Sequence, residues 1–316
     1  MRWRAWFLGA VGFVALWVLA SLAGCGTPST VGAPQPGDQG SASVAPEAPV
    51  GSGSLVPPVV LEPSEPPETV HKPSELINMW RVAANGESED TWLRLEGSSY
   101  ALWRPCGPIF GGWRASTTEF LASAPDGWVG PCETPGDIPW LTSTATYERT
   151  ADGWLLLDES GTETATLRLD GIPPSHPDVW DALLEPPEIT AELLAFMNDR
   201  PAPLAPHLRA ATSQDLVGYW VPLDDFPTRP FVEFDAGPPR TWAGSDGCNG
   251  VGGVWRLGNG GWLLATSGPQ TAIGCEGVPM SAWVSDAARA GFDGDELVLL
   301  DMSGAELGRL RRGSPA

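Results

Sequence analysis

The residues of this 316-residue chain that could do chemistry are few and scattered: five cysteines, three histidines, some paired carboxylates and sixteen tryptophans. Cys106, Cys132, Cys248 and Cys275 lie in the body of the chain and allow three disulfide connectivities. One pair in each half at matching spacing favours Cys106–Cys132 and Cys248–Cys275. Each bridge closes a loop of about 25 residues and contributes about 3 kcal/mol in the chain-entropy description. Zinc is the alternative use of four thiols. There is no Cys-x-x-Cys, however, and His71, His176 and His207 all fall in linker-like segments, so no metal is expected. The same scarcity of histidine argues against Ser-His-Asp or Cys-His catalysis. Asp224-Asp225 and Asp293-Asp295-Glu296 could serve a carboxylate-dependent hydrolase, but they sit in predicted turns, where acids are usually solvated. Calcium would need a ligand loop of the form Asp-x-Asp-x-Asp-Gly, which is missing. Gly111-Gly112 and Gly252-Gly253 lack the Lys-Ser/Thr of a phosphate loop and read as bends or bulges in a curved sheet. Asn249 reads as a turn residue, with a positive φ or a bond to nearby backbone. No cofactor is implied, and the chain is expected not to be an enzyme.

The tryptophans are the remaining hint of function. Trp80, Trp113, Trp140, Trp220, Trp255 and Trp283 recur at matching places in the two halves, as a shared core requires. Trp128, Trp242 and Trp262 lie near predicted loops or edges. If exposed, they are the candidate binding residues for a glycan face or a protein partner.

These residues are positioned by a tandem repeat. Leu76-Ile77-Asn78-Met79-Trp80 recurs as Leu216-Val217-Gly218-Tyr219-Trp220, and Trp92-Leu93-Arg94-Leu95 as Phe231-Val232-Glu233-Phe234. Gly111-Gly112-Trp113-Arg114 recurs as Gly252-Gly253-Val254-Trp255-Arg256. The stretch Leu155 to Gly161 pairs with Val298 to Gly304, and the offset drifts only from 139 to 143 residues. This predicts two copies of one domain, 75–170 and 212–316. Each reads as mostly β with one helix: short apolar runs between clusters of Gly, Pro, Asp and Ser. In the second copy the runs fall near 216–221, 230–235, 241–245, 253–257, 261–266, 296–301 and 306–311. Met302-Ser303-Gly304-Ala305 makes a hairpin turn. Pro279 opens a helix carrying Trp283, Ala287 and Ala288, and Gly291 stops it. Pro139 opens a shorter one carrying Trp140 and Tyr147. Residues 171–211 form a Pro-rich linker, and Glu188 to Asn198 has the spacing of a helix packed on one domain.

The N-terminus sets the compartment. Arg2 and Arg4 precede an apolar run from Ala5 to Ala20 and then Leu22-Ala23-Gly24-Cys25. Charge, apolar run and small residues are the parts of a secretion signal, here 1–24. The ending resembles the lipobox of bacterial lipoproteins. That resemblance implies that Cys25 becomes the first mature residue, is acylated (palmitate and related chains) and anchors the protein to the extracytoplasmic face of a membrane in the cell envelope. More than one acyl chain makes such anchoring stable, and the oxidising compartment lets disulfides persist. Residues 25–74, rich in Pro, Gly and Ser, cannot bury enough surface to order and read as a disordered stalk. Losing Arg2 and Arg4 takes the net charge from −21 to −23. Such a chain is repelled by phosphate backbones, which argues against nucleic acid as a partner.

The second copy carries Leu216-Val217-Gly218-Tyr219-Trp220, Ser245-Asp246-Gly247-Cys248-Asn249-Gly250 and Thr271-Ala272-Ile273-Gly274-Cys275, then a helix and a final hairpin. This resembles the META domain, the family of the HslJ-type heat-shock lipoproteins, with Ile273 where that family usually has Met. The first copy departs further. It has Pro105-Cys106-Gly107 and Trp128-Val129-Gly130-Pro131-Cys132, and is assigned through its likeness to the second. The resemblance implies an α+β, mostly β fold: two similar small domains, each a twisted antiparallel sheet or open barrel with one packed helix. It implies no enzymatic activity and, for some members, a link to stress response or antibiotic tolerance. Together these readings predict a non-catalytic, lipid-anchored envelope protein that binds an envelope protein or ligand, with a glycan- or peptidoglycan-binding module as the alternative.

Overall fold

A computed structural model describes residues 71–131, 137–177, 179–271, 273–274 and 277–315. The signal, Cys25 and the stalk up to residue 70, with Cys132 and Cys275, lie outside the described residues. The fold is mostly β with few helices. The first sheet contains β1 (Asn78–Ala84), β2 (Trp92–Glu96), β3 (Ser99–Arg104), β4 (Gly107–Ala115), β5 (Phe120–Ala122) and β6 (Gly127–Trp128). After α1 (Pro139–Thr142) come β7 (Thr146–Arg149), β8 (Gly153–Leu157) and β9 (Glu163–Arg168). The connecting segment holds α2 (Ala191–Asn198). The second sheet follows with β10 (Arg209–Ala210), α3 (Ser213–Leu216), β11 (Gly218–Pro222), β12 (Phe231–Phe234), β13 (Thr241–Ser245), β14 (Gly250–Leu257) and β15 (Leu263–Ala265). It ends with α4 (Met280–Asp286), β16 (Arg289–Asp293), β17 (Glu296–Leu300) and β18 (Glu306–Arg312).

The two sheets have one topology. Eight strands follow the same order in each, β5-β4-β3-β2-β1-β9-β8-β7 in the first and β15-β14-β13-β12-β11-β18-β17-β16 in the second, every pair antiparallel; the first adds β6 on β4 and the second adds β10 on β16. In each, a bridge between the two ends of the sheet, Glu119 with Thr146 and Trp262 with Arg289, brings the edge strands together. Each sheet is therefore nearly closed on itself, which leaves few unpaired edges. The register slips at Leu156/Leu157 in the first and at Leu299/Leu300 in the second, the same place in the repeat. Both slips lead into matching hairpin turns. Asp158 Oδ1 accepts from the backbone N–H of Ser160 and Thr162, and Asp301 Oδ1 from that of Ser303 and Ala305.

The cores repeat as well. Trp80 Nε1 donates to Leu76 O at 2.7 Å and Trp220 Nε1 to Leu216 O at 2.7 Å, so each copy's opening turn is tied to its first strand by a buried indole. The glycine pairs lie in regularly paired strand, not in bulges. Their role is close approach. A Cβ at Gly111 would meet the Tyr100 ring at 2.5 Å, and one at Gly253 would stand 2.0 Å from Thr266 O and 3.0 Å from Trp242 Nε1. Without those Cβ atoms, Tyr100 OH donates to Ser123 O and Trp242 Nε1 to Thr266 O.

Several local expectations are corrected. Tyr147 is on β7, not on the helix opened by Pro139, because α1 ends at Thr142 and the chain returns to the sheet. The helix after Pro279 ends at Asp286. Ala287 and Ala288 lie beyond it, and Gly291 is inside β16. Ladder bonds to β17 and the burial of Ala290 and Phe292 outweigh the helical preference of the alanines. The helix expected in the connection forms as α2, capped by Thr190, whose Oγ1 accepts from Leu193 N–H. Its Met197 enters the first sheet's core.

Candidate functional site

The predicted binding tryptophans do not come together as a platform. Trp128 is exposed at the short edge strand β6. Trp242 is buried, 2 % exposed, because its ring lies across Gly253 to reach Thr266 O, so it offers no surface. Trp262 is half-buried in a contact between the two copies.

The candidate acids are solvated or neutralised. Asp224, Asp225 and Asp295 are exposed. Asp225 pairs with Arg311 at 2.6 Å. Arg309 donates to Asp293 and holds its carboxyl below the usual range, the opposite of what a general acid needs. Among the histidines, His71 stands edge-on to Trp154. Asn249 is structural. It donates to Asp246 Oδ2 and Ile273 O and accepts from Ile273 N–H, pinning the following loop. Cys106 and Cys248 are both disulfide-bonded; their expected partners, Cys132 and Cys275, lie outside the described residues.

What the sequence reading missed is the contact between the copies. Both sheets belong to one compact unit, Ser64–Ala316. β4 meets β15, and β14 meets β5. Because β4 corresponds to β14 and β5 to β15, the contact has the reciprocal form of a two-fold interface, here within one chain. Its apolar centre is Leu121, Val254 and Leu264, with Trp262 against them. Leu121 and Leu264 are equivalent positions of the repeat.

An arginine flanks this seam on each side, Arg256 from the second copy and its repeat equivalent Arg114 from the first. Arg256 is neutralised by first-copy acids: Nη1 lies 3.1 Å from Glu159 and Nε 3.7 Å from Glu119. Glu159 also accepts from Arg240. Arg114 borders a cleft of about 220 Å³ walled by Phe196 of α2 and by Trp262, Leu264 and Met302 of the second copy, with Ser285 and Asp286 at one side. Its Nη1 is buried and has no hydrogen-bond partner among the described residues. The Phe196 ring lies 5.4 Å from its guanidinium carbon. Burial lowers the basicity of both arginines. Glu119 and Glu159 oppose that at Arg256, and Asp286, through space, at Arg114.

No protein-family model matches the chain, and searches of curated proteins and of solved structures find no match either.

Proposed function

We propose that this chain is a non-catalytic, lipid-anchored envelope protein. Acylated Cys25 holds it to the extracytoplasmic face of a membrane, the Pro-rich segment spaces it from the lipid, and the two META-like repeats together form the binding body. The observation that carries the binding role is the cleft at the seam. It is mostly apolar, bounded by both copies and by α2, and it contains a buried guanidinium nitrogen without a partner. Apolar walls with a few convergent polar groups are the usual make-up of a ligand pocket. The non-catalytic part is supported by the placement of the acids in exposed turns and ion pairs. Among the described residues, no helix is long and apolar enough to cross a membrane. The glycan reading has less support, because Trp128 stands exposed without Trp242 or Trp262 beside it on a surface.

Metabolic labelling with an alkyne fatty acid tests the anchor. Label is expected on the wild-type chain and lost in Cys25→Ser. In-cell crosslinking with quantitative mass spectrometry tests the rest. A stoichiometric envelope partner captured by wild type and lost in Cys25→Ser is the expected result. An unlabelled wild-type chain would overturn the assignment.

A further inference from the structure

The two arginines at the seam are repeat equivalents in unlike surroundings. Arg256 faces Glu119 and Glu159. The corresponding positions facing Arg114 are Trp262, one repeat after Glu119, and Met302, one repeat after Glu159. The bridges Glu119–Thr146 and Trp262–Arg289 place the first of these pairs at the same point of each sheet. The matching turns at Asp158 and Asp301 do so for the second. The second copy has thus put two apolar side chains where the first has two carboxylates, while the cation they would neutralise is kept.

A guanidinium nitrogen without a hydrogen-bond partner is costly to bury; among the described residues this holds for Arg114 Nη1 and also for Arg256 Nε, whose charge Glu119 and Glu159 balance. A planar fork of donors matches a carboxylate or a phosphate, and of the two the planar carboxylate is the smaller and less highly charged. The remaining walls, Phe196, Leu264, Trp262 and Met302, suit an apolar body, and about 220 Å³ suits a small one. Asp199 and Asp286 at the rim are exposed to solvent. Carboxylates there complement an ammonium on the same ligand.

We infer that the Arg114 cleft binds a small apolar carboxylate, whose anionic group takes the place that Glu119 and Glu159 fill at Arg256. This deepens the proposed binding role by naming its site and ligand class. Free amino acids with apolar side chains share this chemistry with simple apolar acids.

Calorimetric titration of the full-length chain in detergent with phenylacetate and with L-phenylalanine tests it, phenylacetamide being the uncharged control. Binding of either carboxylate is expected, with phenylacetamide at least tenfold weaker. Stronger binding of L-phenylalanine would assign the rim acids to an ammonium. Arg114→Gln should weaken binding at least tenfold. Met302→Glu, which installs the counterpart of Glu159 at a partly exposed position, should do the same with the fold intact, and it carries the test if Arg114→Gln does not fold. Wild type that binds neither carboxylate at millimolar concentration, phenylacetamide that binds equally well, or a folded Met302→Glu that binds like wild type would each overturn the inference. Those outcomes leave fatty-acid labelling and crosslinking untouched. Loss of labelling, conversely, would sink the envelope assignment without touching a titration in detergent.

Discussion

Buried polar atoms decide most of what happens at single residues in this chain. Glu87 illustrates it. Its side chain is 3 % exposed, yet it accepts from Arg104 Nε at 2.9 Å and from Trp140 Nε1 at 2.8 Å, so a surface loop, the first sheet and α1 share one carboxylate. Glu87→Gln keeps the shape and removes the charge. A loss of about 2–3 kcal/mol is expected in urea unfolding, since the Arg104 cation loses its partner. A change within about 0.5 kcal/mol would show that solvent already screens the pair. The same rule explains which tryptophans could be read from the sequence. Trp80 and Trp220 were legible as core because they recur, and their indoles make the same bond. Trp242 was not. Its loop-edge position suggested exposure, and only the glycine opposite it on β14 lets the ring fold inward. Arg114 was invisible for another reason. Its meaning lies in the acids missing across the seam, and a one-dimensional pattern does not say which copy's acids face which copy's arginine.

At the scale of elements, strand positions were far more legible than helix ends. β13 spans the predicted 241–245, and the final hairpin, read as 296–301 and 306–311, forms as β17 and β18. Alternating apolar residues between turn formers leave little freedom there. The helix after Pro279 was read too long because Ala287 and Ala288 satisfy either period, and a ladder partner distant in sequence settles it. The glycine pairs were recognised as special but for the wrong cause. They serve close packing, not bending. That makes a sharp expectation. Gly253→Ala places a methyl group 2.0 Å from Thr266 O, against backbone that cannot move without parting β14 from the chain beside it. It should cost about 3 kcal/mol in thermal or chemical unfolding. Gly274→Ala, with no atom of the described residues within 4 Å of the added carbon, should be near neutral. Equal effects of the two would mean that the strands have room to separate.

Over the whole molecule, the repeat was plain in the sequence but its use was not. Order and spacing implied two domains on a linker. The pattern did not say that the copies meet, β4 to β15 and β14 to β5, through Leu121, Val254 and Leu264 and the Glu119–Arg256–Glu159 ion pairs. α2, from the connecting segment, docks Met197 in the first core and turns Phe196 toward Arg114. Two identical halves related by a two-fold would carry two identical clefts. Divergence of the second copy at Trp262 and Met302 makes them different: on one side Arg256 is held by Glu119 and Glu159 beside an open cavity of about 570 Å³, and on the other Arg114 borders the apolar cleft of about 220 Å³ without those two acids. That difference has meaning only if the copies hold one fixed relation to each other. Residual dipolar couplings from backbone amides of both sheets, measured on the weakly aligned full-length chain, test this most directly. The account predicts that a single alignment tensor fits both sheets. Two tensors of unequal magnitude would mean that the copies move independently, and would contradict it.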